Sequence, residues 1–200
     1  MTSNELPEIS DNELVEKIRQ GDLEAFHEIV LRYEKKVLAV AFGIVHNEFD
    51  AKDVAQNVFL KMHKSLDKFR GDSRFYTWLY RITVNVAIDF MRKNKRTMNV
   101  EFDDHIKLDI DSDVPVSAHK KSLPRDEVMR DELYEKMRSA IDSLSDEHRS
   151  ALVLREMEDL SYQEIAETLN CSIGTVMSRL YYARRKVQKL LKPYLNGQEV

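Results

Sequence analysis

Leu160-Ser161-Tyr162-Gln163-Glu164-Ile165-Ala166-Glu167-Thr168-Leu169-Asn170-Cys171-Ser172-Ile173-Gly174-Thr175-Val176 reads as a helix, a tight turn and a second helix. Ser161 and Glu164 have capping-box spacing, in which each side chain satisfies a backbone N–H at the helix start. Ile165, Ala166 and Leu169 fall on one inward face. Asn170 suits the left-handed residue that closes a helix. Ser172 is placed to cap the second helix, where Val176, Leu180, Ala183, Val187 and Leu190 make a buried stripe. At about 100° per residue the opposite side carries Gly174, Ser178, Tyr181, Tyr182 and Arg185. Small, hydroxyl, aromatic and cationic groups opposite a core stripe suit a recognition helix in a DNA major groove. The stretch predicts a helix-turn-helix. Alone it does not separate repressor, activator and polymerase subunit.

The rest of the chain is consistent with an all-α protein. Of 200 residues, 42% are hydrophobic and 33% charged, with only 5 Gly and 4 Pro. No stretch alternates with a strand period. Ser10 and Glu13 form a second capping box, opening a helix near 11. A longer pattern follows through Phe26, Ile29, Val30, Tyr33, Val37, Leu38, Ala41 and Val45. After a polar break at 47–50, Val54, Val58, Met62 and Leu66 recur at helical spacing. Leu79, Ile82, Val86 and Phe90 mark another helix. Residues 97 to about 124 lose the periodicity, gather acids and contain Pro115 and Pro124, which predicts a flexible linker. A second helical unit starts near 125. The fold expected is two small helical domains, 11–96 and 130–192, around a linker at 97–129. Its acidic segment offers little apolar surface, so the halves are expected to move independently until a partner orders them.

Charge is unevenly spread. The net charge is -4, which argues against a simple DNA-coating protein. Yet 168–198 has no acid and carries Arg179, Arg184, Arg185, Lys186, Lys189 and Lys192. Arg92-Lys93-Asn94-Lys95-Arg96 is a second basic knot. The segment 101–113 is the reverse, with Glu101, Asp103, Asp104, Asp109, Asp111 and Asp113. The single Cys171 allows no internal disulfide or zinc finger and suits a reducing cytoplasm. The polar N-terminus does not read as a signal peptide. The longest apolar run, 37–45, falls far short of the roughly 20 residues of a membrane span.

Phe69-Arg70-Gly71-Asp72-Ser73-Arg74-Phe75-Tyr76-Thr77-Trp78-Leu79-Tyr80-Arg81 crowds aromatics and arginines, including the sole Trp. Rings that stack on bases and cations that hold phosphates suit unpaired nucleic acid. Trp78, Arg81 and Asn85 share one flank of the helix. The competing reading is that Phe75 and its neighbours finish a small core. His27, His46, His63, His105, His119 and His148 have no metal-ligand spacing. The glycines make no phosphate loop. Neither enzyme activity nor a cofactor is expected.

Four stretches together resemble sigma factors of the extracytoplasmic-function class, close to the sigma-E-like group, over roughly residues 11–192. They are Gly21-Asp22-Leu23-Glu24-Ala25-Phe26, Asp53-Val54-Ala55-Gln56-Asn57-Val58-Phe59, the Phe69–Ile82 run and the helix-turn-helix through Leu180. The resemblance implies region 2 at 11–96 and region 4 at 130–192. It implies an alternative sigma factor that binds the beta and beta-prime subunits of core RNA polymerase, reads promoter DNA and opens it, in a stress or envelope response. It implies a cytoplasmic protein held by an anti-sigma factor, without membrane insertion, catalysis or metal.

By the same resemblance, Asp53, Gln56, Asn57 and Phe59 grip the polymerase. Phe69, Arg70, Ser73, Phe75, Tyr76, Trp78, Arg81 and Asn85 take the opened −10 strand. Gly174, Thr175, Met177, Ser178, Arg179, Tyr181, Tyr182 and Arg185 read the −35 duplex. Members often carry Arg where Met177 and Tyr182 stand here, so the −35 sequence does not carry over. The residue-level rivals are a stand-alone helix-turn-helix regulator and a protein-only adaptor.

Overall fold

A computed structural model describes residues 9–101 and 125–195. Eight α-helices run in chain order: α1 Asp11–Arg19, α2 Leu23–Val45, α3 Glu48–Ser65, α4 Phe75–Glu101, α5 Arg125–Asp142, α6 Asp146–Glu158, α7 Tyr162–Leu169 and α8 Ile173–Leu195. A short 3₁₀ turn, Leu66–Lys68, follows α3. There is no strand among the described residues.

Local chemistry sets the helix starts. The Ser10 hydroxyl accepts from the Glu13 N–H at 3.3 Å, and the Glu13 carboxylate accepts from the Ser10 N–H at 2.9 Å. Asp22 caps α2, accepting from the N–H groups of Glu24 and Ala25 at 2.9 and 3.1 Å. Asn47 does the same for α3. Each cap satisfies donors that the first turn leaves unpaired.

The first four helices form one group around α2, which touches α1, α3 and α4. Ile29, Tyr33, Val37, Val40, Ala41 and Ile44 supply its buried face. Tyr33 donates to the Asp11 carboxylate at 2.5 Å, and Arg32 meets the same carboxylate at 2.8 Å, tying α2 to α1. Burial, and then the Asp11 carboxylate, push the Tyr33 phenol well above its ordinary range. Arg19 reaches the carbonyls of Leu66, at 2.9 Å, and Phe69. It thereby fixes the chain just before the aromatic loop.

The last four helices form the second group, in which α8 packs on α5, α6 and α7. The helix α4 extends to Glu101, so 97–101 is helical where a linker was expected. The acidic segment beyond Glu101 lies outside the described residues. Leu190, assigned to the buried stripe, is exposed.

Independent halves are not what the structure shows. The helix α2 packs on α6, and α4 packs on α7. One apolar cluster runs from Leu14 to Leu180 through both groups. Beyond Phe75, Leu79 and Ile82, α4 buries a second row, Tyr80, Thr83, Val84 and Ala87. Arg149 sits at the junction, only 2% exposed. Its guanidinium donates to the carbonyl of Ile44 at 3.2 Å, and to those of Ile141, Asp142 and Leu144 in its own half. Low linker hydrophobicity therefore does not set the halves free, because the helices carry the docking surface themselves.

Candidate nucleic-acid interface

Three helical surfaces, on α3, α4 and α8, and one loop carry the candidate residues. The loop runs from Phe69 to Arg74. Gly71 lies at φ +78°, a left-handed conformation in which a side chain would be strained. The chain turns there and enters α4 at Phe75.

That entry point sorts the aromatic run. Phe75, Leu79 and Ile82 follow helical spacing into the core. Phe75 is 2% exposed and Phe69 is 5% exposed. Their rings meet edge to face at 5.6 Å, and Phe75 lies 5.5 Å from the Tyr33 ring. Both were candidates for stacking on a base. Instead they are buried beneath the loop, because the apolar face of α4 begins at Phe75. Tyr80 is buried too, with its hydroxyl on Glu158 at 2.5 Å. Burial, followed by that hydrogen bond, pushes the Tyr80 phenol well up.

The other candidates of this set are half-buried or exposed, with Tyr76 on the Glu164 carboxylate and Arg81 on the Glu167 carbonyl of α7. Trp78 is half-buried, with ring centroids 5.3 Å from Phe69 and 5.8 Å from Phe75. The two phenylalanines thus form a platform that orients the indole. Arg70 and Asn85 are exposed, and Ser73, Tyr76 and Arg81 are half-buried. Arg74, not among the original candidates, lies beside them and donates to the Tyr76 hydroxyl at 2.9 Å.

The helix-turn-helix forms as the sequence predicts. Ser161 Oγ accepts from the Glu164 N–H at 3.3 Å, and the Glu164 carboxylate accepts from the Ser161 N–H at 2.8 Å. Asn170 closes α7 at φ +50°. Ser172 Oγ accepts from the Thr175 N–H at 3.1 Å and starts α8. Val176, Leu180 and Ala183 are buried.

Gly174, Met177, Ser178, Tyr181, Tyr182 and Arg185 are exposed on the far side. Tyr181 and Tyr182 meet at 5.3 Å, and Arg185 donates to the Tyr181 hydroxyl at 3.3 Å. Thr175 is half-buried and contributes to the cap through Ser172 at 2.9 Å. Arg179 is half-buried and turns toward Cys171 Sγ at 3.7 Å. Arg184 is held by Glu156 at 2.7 Å, which raises its pKa and keeps it off the open face.

On α3, Asp53, Gln56 and Asn57 are exposed, while Phe59 is half-buried and packs on the core. Sequence reading missed two residues here. Phe49 is 81% exposed and Leu60 is also exposed. With Asp53 and Gln56 they occupy one stripe at i, i+4, i+7 and i+11. Large apolar groups in register with a polar stripe, outside the buried one, were the available signal.

No cluster of His, Cys, Asp and Glu able to hold a metal occurs among the described residues. No described helix is long and apolar enough to cross a membrane.

Comparison with known proteins gives the family. The family model described as sigma-70 region 2 matches residues 29–97, and that described as sigma-70, region 4, matches residues 134–187. The RNA polymerase sigma-H factor of Pseudomonas aeruginosa is 38% identical, covering 95% of this chain and 98% of that protein. The ECF RNA polymerase sigma-E factors of Haemophilus influenzae and of Escherichia coli strain K12 are each 36% identical, covering 94% of this chain and 98% and 97% of those proteins. Among solved structures, CnrH in complex with the cytosolic domain of CnrY matches with a TM-score of 0.66 at 24% identity, covering 92% of this chain and 97% of that one. The sigma factor RpoE of Bartonella quintana, in complex with the anti-sigma factor NepR, matches with a TM-score of 0.61 at 25% identity, covering 84% and 96%.

Proposed function

The chain belongs to the sigma-70 family, extracytoplasmic-function type, and from that premise we propose how its three surfaces divide the work of promoter-specific initiation. As an alternative sigma factor it is an initiation factor and not an enzyme. Its partners are core RNA polymerase and promoter DNA. We take region 2 as 11–96, the linker as 97–129 and region 4 as 130–192.

The α3 stripe meets the polymerase. Asp53, Gln56 and Asn57 supply polar contacts, and Phe49 and Leu60 supply apolar area that is otherwise left in water. Phe59 contributes from the edge of the core. The α4 flank and its loop meet the non-template strand at the −10 element. Trp78 and Tyr76 offer faces to unstacked bases, Arg70, Arg74 and Arg81 offer charge to phosphates, and Ser73 and Asn85 offer hydrogen bonds to base edges. Phe69 and Phe75 act from beneath as the platform of Trp78. The α8 face meets the −35 duplex through Gly174, Met177, Ser178, Tyr181, Tyr182 and Arg185. Thr175 and Arg179 support its N-terminal turn. Met177 and Tyr182 bring apolar and phenolic contacts in place of guanidinium forks.

This reading is carried by the coexistence in one chain of a half-buried Trp78 and an exposed Asn85 on one flank of α4, outside its Phe75–Leu79–Ile82 core row, and an exposed α8 face. A duplex-binding regulator needs only the second. The RpoE relative is solved with an anti-sigma factor, and we propose a protein inhibitor of that kind for this cytoplasmic chain as well.

Permanganate reactivity of promoter thymines tests the division. Unstacked −10 thymines are expected only when core polymerase and the chain are both present. Asn85→Ala is expected to reduce that signal while leaving polymerase binding intact. Equal opening by Asn85→Ala and the parent would remove α4 from the −10 contact.

A further inference from the structure

A groove lies where the end of α2 meets α5, α6 and α8. It holds about 600 Å³ and is walled by Phe42 of α2, Met137 and Ile141 of α5, Val153 and Met157 of α6 and Val187 of α8. Sites for one small molecule span about 300–1,000 Å³, are mostly apolar and favour junctions between folded units. Met137 and Met157 stay exposed on these walls. Thioether side chains are flexible, adjust around a guest and make favourable contacts with aromatic rings. Gly43 keeps the α2 wall thin, since a Cβ there would meet Met157 Sδ at 2.5 Å.

His46 supplies a polar group in this apolar setting. It closes α2 in a left-handed conformation at φ +56° and lines the groove. Its side chain is only 8% exposed, and Nδ1 lies 2.5 Å from the Asp142 carboxylate. The carboxylate accepts, so Nδ1 carries the proton of the neutral ring and Nε2 keeps a lone pair. Nε2 is buried and has no hydrogen-bond partner. A buried acceptor without a donor is costly, and a ligand that donates to it removes the cost.

The charges at the mouth are offset in pairs. Arg184 is held by Glu156 at 2.7 Å, and Arg138 lies 4.0 Å from Glu135. His46 has Asp142. Such a balanced rim does not select an ion. Its complement is a neutral molecule with an apolar, aromatic body for the methionine walls and one strong donor for Nε2.

We propose that this groove is a binding site for a neutral small molecule of the alkylphenol class, whose hydroxyl donates to His46 Nε2. The ligand bridges α2 of the first helical group and α5, α6 and α8 of the second. It lies apart from the α3 stripe and the α4 flank, and does not depend on the division of work given above.

The test uses the full chain with methyl-labelled methionine, titrated with para-butylphenol, butylbenzene and phenylbutyrate and followed by methyl NMR. Butylphenol is expected to shift the Met137 and Met157 signals and to leave Met62, sealed in the core, unmoved. Butylbenzene lacks the donor and should bind about tenfold more weakly, the factor of one net hydrogen bond. Phenylbutyrate, an anion, should also bind more weakly than the phenol. His46→Asn keeps a residue that tolerates the left-handed backbone but removes the imidazole acceptor. It should bring phenol and hydrocarbon to equal affinity. Met137→Trp fills the groove from an exposed position and should abolish the Met157 shift. Should His46→Asn lose its helical circular dichroism, Met137→Trp and the parent's preference for phenol over hydrocarbon decide the matter.

No methionine shift with any of the three compounds would leave the groove to a protein partner and overturn the proposal. Tighter binding of phenylbutyrate, equal binding of phenol and hydrocarbon by the parent, or a Met157 shift that survives Met137→Trp would overturn it too. So would the same methionine shifts on concentrating the chain alone, which would assign the groove to a second copy.

Discussion

A guanidinium as deeply buried as Arg149 must have its donors matched, or the charge is stranded. Here carbonyls of Ile44, Ile141, Asp142 and Leu144 surround it, with the Asp142 carboxylate at 4.0 Å. Arg149→Met leaves those carbonyls short of donors and is expected to lower stability by about 1–3 kcal/mol, read from urea denaturation. A loss under about 1 kcal/mol would mean that water replaces the guanidinium. Trp78 and Asn85 separate two roles at the same scale. Asn85 is exposed, so Asn85→Ala should keep parental stability while impairing promoter opening by about 1–3 kcal/mol. Trp78→Ala should cost stability as well, because its ring rests on Phe69 and Phe75. Parental stability in Trp78→Ala would remove the platform. Residue identity alone could not sort this aromatic run. A phenylalanine that stacks on a base and one that fills a core look the same until the first residue of the helix is known. Once α4 begins at Phe75, spacing decides which rings turn inward.

At the scale of the element, the caps were readable because their chemistry is local. Ser10 with Glu13, Ser161 with Glu164, and Asn170 at the end of α7 all stand where the sequence put them. The α8 face was readable for the same reason, up to Val187. Leu190 was misplaced because a helix period continues past the last neighbour it packs on. The exposed side of α8 should behave as a unit. Arg185→Ala is expected to weaken −35 duplex binding across sequences and to lower the salt slope by about one, while Ser178→Ala alters base preference. An unchanged preference in a selection from randomised −35 sites would remove Ser178 from the reading face. The cap of α7 also predicts a pH response. Hydrogen bonds from Ser161, then Tyr76, hold the Glu164 carboxyl below its ordinary value of 4.5. A depressed acid stabilises the folded form above its unfolded pKa, and that stability is lost as pH falls through the folded pKa. The α7 docking should therefore persist at pH 5 to 8 and weaken below about pH 4.5. Glu13 and Glu147 are depressed as well and will also lose their contribution there. The comparison with Glu164→Gln isolates the α7 share: scattering curves for parent and variant should converge in acid. Parallel curves across the range would assign the response to the other caps.

For the whole molecule, the two-domain, all-α plan was legible because helical period and linker composition differ plainly. The docking of the halves was not. Gly43, Tyr80, Met91 and Met157 read as ordinary helix positions, and nothing in a one-dimensional pattern says which helix a buried face will meet. Phe49 and Leu60, in contrast, were legible in the pattern, because they share the polar stripe of α3 and lie outside its buried Val54–Val58–Met62 row. Docking makes its own prediction. A specific protease site can be introduced between 102 and 124. After one cut there, the two fragments should still co-elute on gel filtration, held by the shared core and Arg149. Separation at micromolar concentration would mean the interface is too weak to define the free state. Whether this chain directs initiation is decided by run-off transcription with purified core polymerase on a randomised promoter library, sequencing the starts. Discrete start sites are expected that need both the chain and the polymerase, share −10 and −35 sequences, and fade with Asn85→Ala and Arg185→Ala. Unchanged transcription on adding the chain, with tight and specific duplex binding by the chain alone, would contradict that role.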